Sequence, residues 1–361
     1  YKGIVYVTTE KYIFALDGKD GHFLWSWNPG YFRSGSMGDI NGAVVANDLL
    51  YLTVESGHLF ALSLEIGISL GERLVWYRVN DAGPHTSFAP AVSNGYIYKV
   101  GEDIDRKMLW YEALRPDGSI VWTSGFEWRG PDFSRTGVMS PYMRGPIALD
   151  GIVYVTDGES LFLLDADTGD RRLVREIGEP ALIPAVLDGV LYIYDGSYLI
   201  AIDPRTGRTE HVAKINDRSG RSTVPIAADG KVYLYAFDDG QIRTSRLIVY
   251  DPSSGDISWT YSPQSEGWDD ALIVEPPTVL DDVAYITSGT NLLALDVEWN
   301  GSSDAKGRKG DLLWHHEGDY LNGKLAVSSL SYGVITDGML APIVYTSAVT
   351  GHIYGIAGLS Q

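Results

Sequence analysis

Several side chains that could bind an anionic or aromatic ligand lie in the polar segments between the apolar runs of this chain. They are arginines, tryptophans and one histidine: Arg33, His85, Trp128, Arg129, Arg144, Arg218, Arg221 and Trp268. A guanidinium group can bind a carboxylate through two parallel hydrogen bonds, so arginines gathered on one rim would suit a carboxylate-bearing ligand. In an alternative interpretation, these arginines pair with neighbouring Asp and Glu residues and order exposed loops.

The net charge of the chain limits its partners. The 361 residues include 28 Lys and Arg against 47 Asp and Glu, a formal net charge of −19. This charge repels nucleic-acid phosphates and anionic lipid, so we expect no nucleic-acid partner. No apolar run reaches the roughly 18 residues of a membrane span, so we expect no direct membrane insertion. The start of the sequence lacks a secretion-signal pattern, and we expect any such signal to lie outside it.

The chain contains no cysteine, which excludes disulfides, thiolate nucleophiles and cysteine-bound metals. Its adjacent histidines, His315 and His316, would point to opposite sides of a strand and make poor joint metal ligands. We find no phosphate-binding glycine loop and no Ser-His-Asp arrangement. One glycosylation-type triplet begins at Asn300, a pattern that also arises often by chance.

The elements that must position these side chains form an internal repeat. Residues 3–25, 151–173 and 189–211 share an alternating strand, a polar turn, a second strand ending in Leu/Ile-Asp, and a glycine-containing turn. More divergent copies fill the intervals, giving roughly eight units of about 45 residues and four strands each. The apolar residues alternate with period two and are rich in Val, Ile, Tyr and Trp, which is typical of strands.

This pattern predicts an all-β fold, an eight-bladed β-propeller of four-stranded antiparallel blades. One such sheet cannot bury both faces alone, so we expect residues 1–361 to form a single domain. The first copy lacks its innermost strand and the last lacks its outer tryptophan strand. We therefore expect ring closure near the termini to need residues upstream of Tyr1 or a strand from a partner.

Repeated residues have structural roles in this fold. In the Asp-x-x-x-Gly turns, such as Asp165 to Gly169, the carboxylate caps the turn and the glycine supplies a positive φ. The tryptophan of the following strand, such as Trp122, is expected to wedge between adjacent blades while its N–H finds a carbonyl. Two copies carry Leu173 and His211 instead, and we expect the weakest wedges there.

The run Ala15-Leu16-Asp17, followed by Gly21 and Trp25, resembles the tryptophan-docking repeat of the pyrroloquinoline quinone (PQQ) propeller family. The resemblance covers essentially the whole chain. The family includes quinone-dependent alcohol dehydrogenases and also cofactor-free scaffolds such as the BamB-type outer-membrane assembly proteins. We expect this chain to be closer to the scaffolds.

The resemblance also implies an alternative, a divergent oxidoreductase that uses PQQ and calcium. The Trp268-Asp269 pair is similar to one in quinoprotein dehydrogenases whose Asp is the general base, which would make Asp269 the base here. Glu102 lies roughly where the family has a calcium-ligating Glu. Those enzymes stack the quinone on a vicinal disulfide, and their calcium-ligating Asn follows a Gly-x-Gly-Asn-Pro turn. This chain has neither, since it lacks cysteine and residues 236–240 lack that turn.

These observations favour a non-catalytic binding or scaffold propeller outside the cytoplasm, whether periplasmic, secreted or on the cell surface. We expect its loop face to engage a protein partner or a surface polymer such as a polysaccharide, without a cofactor. Besides the oxidoreductase, a second alternative is a propeller subunit of a larger surface or membrane-associated assembly.

Overall fold

The computed structural model describes most of the strands and part of the connecting segments. The described residues are 1–9, 11–31, 38–79, 85–103, 106–129, 145–176, 184–215, 223–237, 245–263, 277–280, 282–288, 291–297, 312–317, 331–333, 343–347 and 353–357. Within these ranges the chain is almost entirely β-structure. No helix of the described residues is both long and apolar enough to cross a lipid bilayer.

The described residues of the first compact unit, Tyr1–Ile183, form four antiparallel sheets. Sheet 1 comprises β1 (Ile4–Thr8), β2 (Ile13–Asp17) and β3 (Phe23–Trp27) and is followed by a 3-10 turn (Pro29–Tyr31); sheet 2 comprises β4 (Ile40–Ala46), β5 (Leu49–Val54), β6 (Leu59–Ser63) and β7 (Leu74–Arg78), with α1 (Leu70–Arg73) before β7; sheet 3 comprises β8 (His85–Ser87), β9 (Ala91–Ser93), β10 (Tyr96–Asp103), β11 (Met108–Leu114) and β12 (Ile120–Glu127); sheet 4 comprises β13 (Ile147–Leu149), β14 (Ile152–Thr156), β15 (Ser160–Asp165) and β16 (Arg171–Glu176).

In the second compact unit, Pro184–Gln361, the part of the chain that the structure describes forms four further antiparallel sheets. Sheet 5 comprises β17 (Ala185–Leu187), β18 (Val190–Tyr194), β19 (Tyr198–Ile202) and β20 (Thr209–Lys214); sheet 6 comprises β21 (Ile226–Ala228), β22 (Lys231–Phe237), β23 (Ser245–Asp251) and β24 (Asp256–Tyr261); sheet 7 comprises β25 (Thr278–Leu280), β26 (Val283–Ser288), β27 (Asn291–Asp296) and β28 (Leu312–Glu317); sheet 8 comprises β29 (Ser331–Gly333), β30 (Ile343–Ser347) and β31 (Ile353–Ala357).

The all-β prediction is confirmed, but the prediction of eight four-stranded blades is wrong. Among the described residues, five sheets have four strands and one has five, while sheets 1 and 8 have three each. Sheets 1 and 8 are formed by the two end copies, in which the sequence already lacks one strand of the repeat. The expectation that a strand from outside these residues closes the ring stays a prediction. The single domain over residues 1–361 stays a prediction, because the chain is described as two compact units.

The Asp-x-x-x-Gly turns form as the sequence predicts. In sheet 4, the Asp165 carboxylate accepts hydrogen bonds from the backbone N–H groups of Asp167 at 3.0 Å and Thr168 at 2.9 Å. The Gly169 N–H donates to the Asp165 carbonyl at 2.9 Å, with φ of +74° at the glycine. A side chain is strained at such a φ, which explains the choice of glycine.

The tryptophan of an outer strand docks on the glycine turn of the following sheet. The Trp122 indole, in β12 of sheet 3, donates its Nε1–H to the Ala166 carbonyl of sheet 4 at 2.9 Å. A Cβ atom added at Gly169 would lie 2.7 Å from the Trp122 ring, so the indole lies directly against the glycine. Trp76 in sheet 2 repeats the arrangement on sheet 3, donating to the Pro116 carbonyl at 2.7 Å. The predicted wedge is confirmed at these two tryptophans.

Two junctions use different docking residues. His211 occupies the tryptophan position in β20, and a Cβ atom at Gly255 of sheet 6 would lie 3.3 Å from its ring. The smaller imidazole therefore takes the place of the indole between sheets 5 and 6. Between sheets 1 and 2, the buried Arg73 guanidinium lies 3.9 Å from the centre of the Trp25 ring. The Leu173 side chain lies outside the described residues.

Candidate functional site

Arg129 follows β12 and connects the end of sheet 3 to the hairpin between β14 and β15 of sheet 4. Its backbone N–H donates to the Asp157 carbonyl at 2.8 Å. This bond holds the side chain beside the carboxylates of that hairpin. Arg129 is one of the arginines that the sequence singled out, and the structure describes its contacts with sheet 4.

Three carboxylates surround the Arg129 guanidinium. Its Nη2 lies 2.8 Å from Glu159 Oε2 and 3.9 Å from Glu176 Oε1, and its Nη1 lies 3.8 Å from Asp157 Oδ2. The Asp157 carboxylate is buried and also accepts from the backbone N–H of Ser160 at 2.8 Å. Because its positive charge is already balanced in excess, Arg129 would have to release Glu159 before it could bind a ligand carboxylate. The alternative interpretation, an arginine that orders loops by pairing with acids, fits this residue.

A cleft of about 360 Å³ lies beside Arg129, between residues of sheets 3 and 4; we call it the seam cleft. It is lined by Phe126, Glu127, Arg129, Asp157, Phe162 and Arg171. The Phe126 and Phe162 ring centres are 5.0 Å apart. The Arg171 guanidinium carbon lies 5.2 Å from the Phe126 ring centre, and its Nη1 donates to the Gly125 carbonyl at 3.3 Å. The cleft therefore combines an apolar floor with a cation at its edge.

Glu102 lies in β10 of sheet 3, with 1% of its surface exposed. Burial raises the pKa of Tyr111, at the junction of sheets 3 and 4, well above its usual value, and the nearby charges of Glu102 and Asp157 add to this effect. The Tyr111 hydroxyl donates to the Thr156 carbonyl at 2.9 Å and accepts from the Thr156 N–H. A neutral phenol thus links the two sheets beside the Glu102 carboxylate.

The backbone of β8 places His85 directly opposite Glu102 in the register of β8 with β10. The His85 side chain lies outside the described residues. Within the described ranges, no three His, Asp or Glu side chains form a group that could hold a metal ion.

Most of the remaining predicted site residues lie outside the described residues. They are Arg33, Arg144, Arg218, Arg221, Trp268 and Asp269. Trp128 is described and is 7% exposed, in the apolar core that sheets 3 and 4 share. Its indole packs within the fold, and its role as a binding residue stays a prediction.

Sequence reasoning missed several residues of this region. Asp157, Glu159, Phe162, Arg171 and Glu176 lie in sheet 4, remote in sequence from Arg129. One available signal was charge: β16 carries three arginines in six residues of an otherwise acidic chain.

A buried ion pair was also missed. Lys99 Nζ lies 3.1 Å from Glu112 Oε2, and the two residues are direct cross-strand partners in β10 and β11. The ammonium also donates to the Gly57 carbonyl of sheet 2 at 3.3 Å. The signal was two opposite charges within strands that are otherwise largely apolar. Because the pair links sheets 2 and 3 and is buried, its role is structural.

Comparison with known proteins agrees with this architecture. Residues 110–242 match the family model described as outer membrane protein assembly factor BamB. No curated protein sequence matches the chain.

Solved structures resemble the chain over nearly its whole length at low sequence identity. BamB from Moraxella catarrhalis is 17% identical with a TM-score of 0.61, and the match covers 98% of this chain and 90% of BamB. The quinohemoprotein alcohol dehydrogenase ADHIIG from Pseudomonas putida is 15% identical with a TM-score of 0.62, over 96% of this chain and 69% of the enzyme. The computationally designed protein Ika8 is 14% identical with a TM-score of 0.68, over 99% and 94%. Identities this low show a shared fold, which hosts different functions. The prediction of a PQQ-repeat β-propeller is thus confirmed, with the family-model match itself carried by residues 110–242.

Proposed function

We propose that this chain is a non-catalytic binding or scaffold propeller that acts outside the cytoplasm and engages a protein partner or a surface polymer through its loop face. The observation that carries the proposal is the Arg129 cluster, in which a loop arginine is held by Glu159 at 2.8 Å and by two further carboxylates. Such pairing fixes the end of sheet 3 against the β14–β15 hairpin of sheet 4, and a surface that is fixed before binding loses less entropy when a partner binds. The match to an outer-membrane assembly factor supports a protein partner and an extracytoplasmic location.

We also propose that the chain has no resident cofactor. The reasons are the absence of the cysteines on which related enzymes stack the quinone, and the lack of a metal-ligand group among the described residues. The alternative is a divergent PQQ- and calcium-dependent oxidoreductase with Asp269 as the base. It is favoured by the similarity in fold to a quinohemoprotein alcohol dehydrogenase.

One experiment separates the two functions. The purified chain is incubated with PQQ and calcium, and dye-linked oxidation of a series of alcohols is followed together with the quinone absorption. The scaffold proposal expects no turnover and no bound quinone. Turnover that is lost in Asp269→Asn would overturn it.

A second experiment tests the scaffold role directly. The full chain carries a photo-crosslinker and is incubated with the periplasmic or surface fraction of its own host. We expect one dominant partner that is captured by the parent chain and lost in Trp268→Ala. Ile257→Ala, a truncation of a partly exposed residue on β24, is the control and should keep the partner. Equal capture by all three chains would contradict a loop-face interface.

A further inference from the structure

The two arginines that line the seam cleft differ in their charge environment. Arg129 is surrounded by three carboxylates. Arg171 contacts a carbonyl and an aromatic ring, and among the described residues no carboxylate lies within ion-pair distance of it. A guanidinium with this environment retains its capacity to bind a carboxylate, whereas Arg129 does not.

The floor of the cleft is apolar and small. The Phe126 and Phe162 rings form it at a centre-to-centre distance of 5.0 Å. The volume of about 360 Å³ lies near the lower limit for ligand pockets, which suits one large side chain better than an extended ligand. An aromatic side chain from a ligand would add a third ring to this pair.

Acidic residues restrict what else can enter. Glu127 and Asp157 line the same cleft, and Glu159 lies beside Arg129. A ligand with several closely spaced negative charges would meet these carboxylates. A ligand with a single carboxylate can pair that group with Arg171 while its apolar side chain contacts the phenylalanine pair, which keeps the number of unfavourable charge contacts lowest. The charges around the cleft therefore favour a ligand in which one acidic group is adjacent to one apolar side chain.

We propose that the seam cleft is a docking site for a short peptide segment of a protein partner, in which an aromatic residue is adjacent to a single acidic residue. The aromatic side chain lies over Phe126 and Phe162, and the acidic side chain pairs with Arg171. This inference rests on the proposed binding function and gives that function a specific site on the first compact unit.

The test uses the full chain and two small probes, N-acetyl-Phe-Asp-amide and its neutral counterpart N-acetyl-Phe-Asn-amide, in ligand-observed NMR titrations. We expect the acidic probe to bind roughly tenfold more tightly, the size of one charge-assisted hydrogen bond. Arg171→Gln should reduce binding of the acidic probe to the level of the neutral one. Arg172→Gln is the matched control: it removes the same charge from the next residue of β16, which is exposed and does not line the cleft.

Phe162→Leu provides a second variant, which should weaken both probes equally because it alters only the floor. Equal affinity for the two probes, no detectable binding of either, or an equal loss in Arg172→Gln would overturn the proposal. So would preferential binding of oligogalacturonate, or occupation of the cleft by a second copy of the chain.

The two proposals can fail separately. If Arg171→Gln still captures the photo-crosslinked partner while neither probe binds the parent chain, peptide docking in the seam cleft is wrong and the scaffold function stands. If the probes bind as expected and no partner is captured, the scaffold function fails by itself.

Discussion

The docking of Trp122 on sheet 4 predicts a large and specific loss of stability when that indole is removed. The Trp122 side chain is buried, and it donates to the Ala166 carbonyl at 2.9 Å. An aromatic side chain buries roughly 200 Å², worth about 5 kcal/mol at ~25 cal/mol per Å². The hydrogen bond contributes about 1 kcal/mol, and losses of about 3–5 kcal/mol are usual for Trp→Ala in a core. We therefore expect Trp122→Ala to lower the free energy of unfolding by about 3–5 kcal/mol.

The assay is urea unfolding followed by circular dichroism, with Ile120→Ala as the control. Ile120 lies on the same strand, β12, but is 38% exposed, so its truncation should cost less than about 1 kcal/mol. Trp122→Phe separates the two contributions, because it keeps most of the apolar area and leaves the Ala166 carbonyl without its donor. A loss below about 1 kcal/mol in Trp122→Ala, or one equal to that of Ile120→Ala, would refute the docking argument.

Four further predictions concern the same framework. His211→Trp should raise the free energy of unfolding by about 1 kcal/mol, since an indole fits the Gly255 turn better than the imidazole does; no gain in the midpoint of urea unfolding would contradict this. Gly169→Ala should lower the thermal unfolding midpoint of the chain more than Gly151→Ala does. Both glycines have a positive φ, but only at Gly169 would the added Cβ clash, at 2.7 Å from the Trp122 ring. Equal losses would show that the close approach of the indole is unimportant. Lys99→Met should lower the free energy of unfolding by about 3–5 kcal/mol, because it leaves the Glu112 carboxylate buried without its ammonium partner. Adding Glu112→Leu should recover much of the lost stability, and a double-mutant cycle in which the two losses simply add would argue against the ion pair. The backbone N–H groups of Thr168 and Asp167 hold the pKa of Asp165 below its usual 3.8, so the stability that this carboxylate contributes is complete above that pH and is lost as the pH falls through the lowered pKa. The free energies of unfolding of Asp165→Asn and the parent chain, measured from pH 7 to pH 2, should therefore become equal at the acid end. A difference that stays constant with pH would exclude the mechanism.

Much of the fold was predictable because its signals are local. Period-two alternation predicts strands, and Asp-x-x-x-Gly predicts the turn that Asp165 and Gly169 form. The docking role of Trp122 followed from the regular position of a large aromatic residue on the strand after the glycine-containing turn of most repeats. The short first and last copies were visible in the sequence and have three described strands each, whereas the uniform set of eight four-stranded blades was not found, because the strand count of a sheet depends on which segments pair.

The candidate site was predictable only in part. Arg129 was identified as a loop arginine, yet its partners Glu159 and Glu176 come from a different sheet. Trp128 was expected to be available on a rim, and its indole is instead in the core. A sequence pattern shows which residue types are present, but whether a side chain points into the core or out of it depends on how the neighbouring sheet packs.

By itself the sequence determined the strands, the turns and the tryptophan positions, because each depends on residues a few places apart and on backbone geometry. Only the tertiary structure decided which arginine is neutralised and which is not. Arg129 follows sheet 3, whereas the carboxylates that balance it belong to sheet 4; Arg171 belongs to sheet 4, whereas the Phe126 ring beside it belongs to sheet 3. These distances are set by how the two sheets pack. Charge balance and cavity shape depend on those distances, which no local pattern encodes.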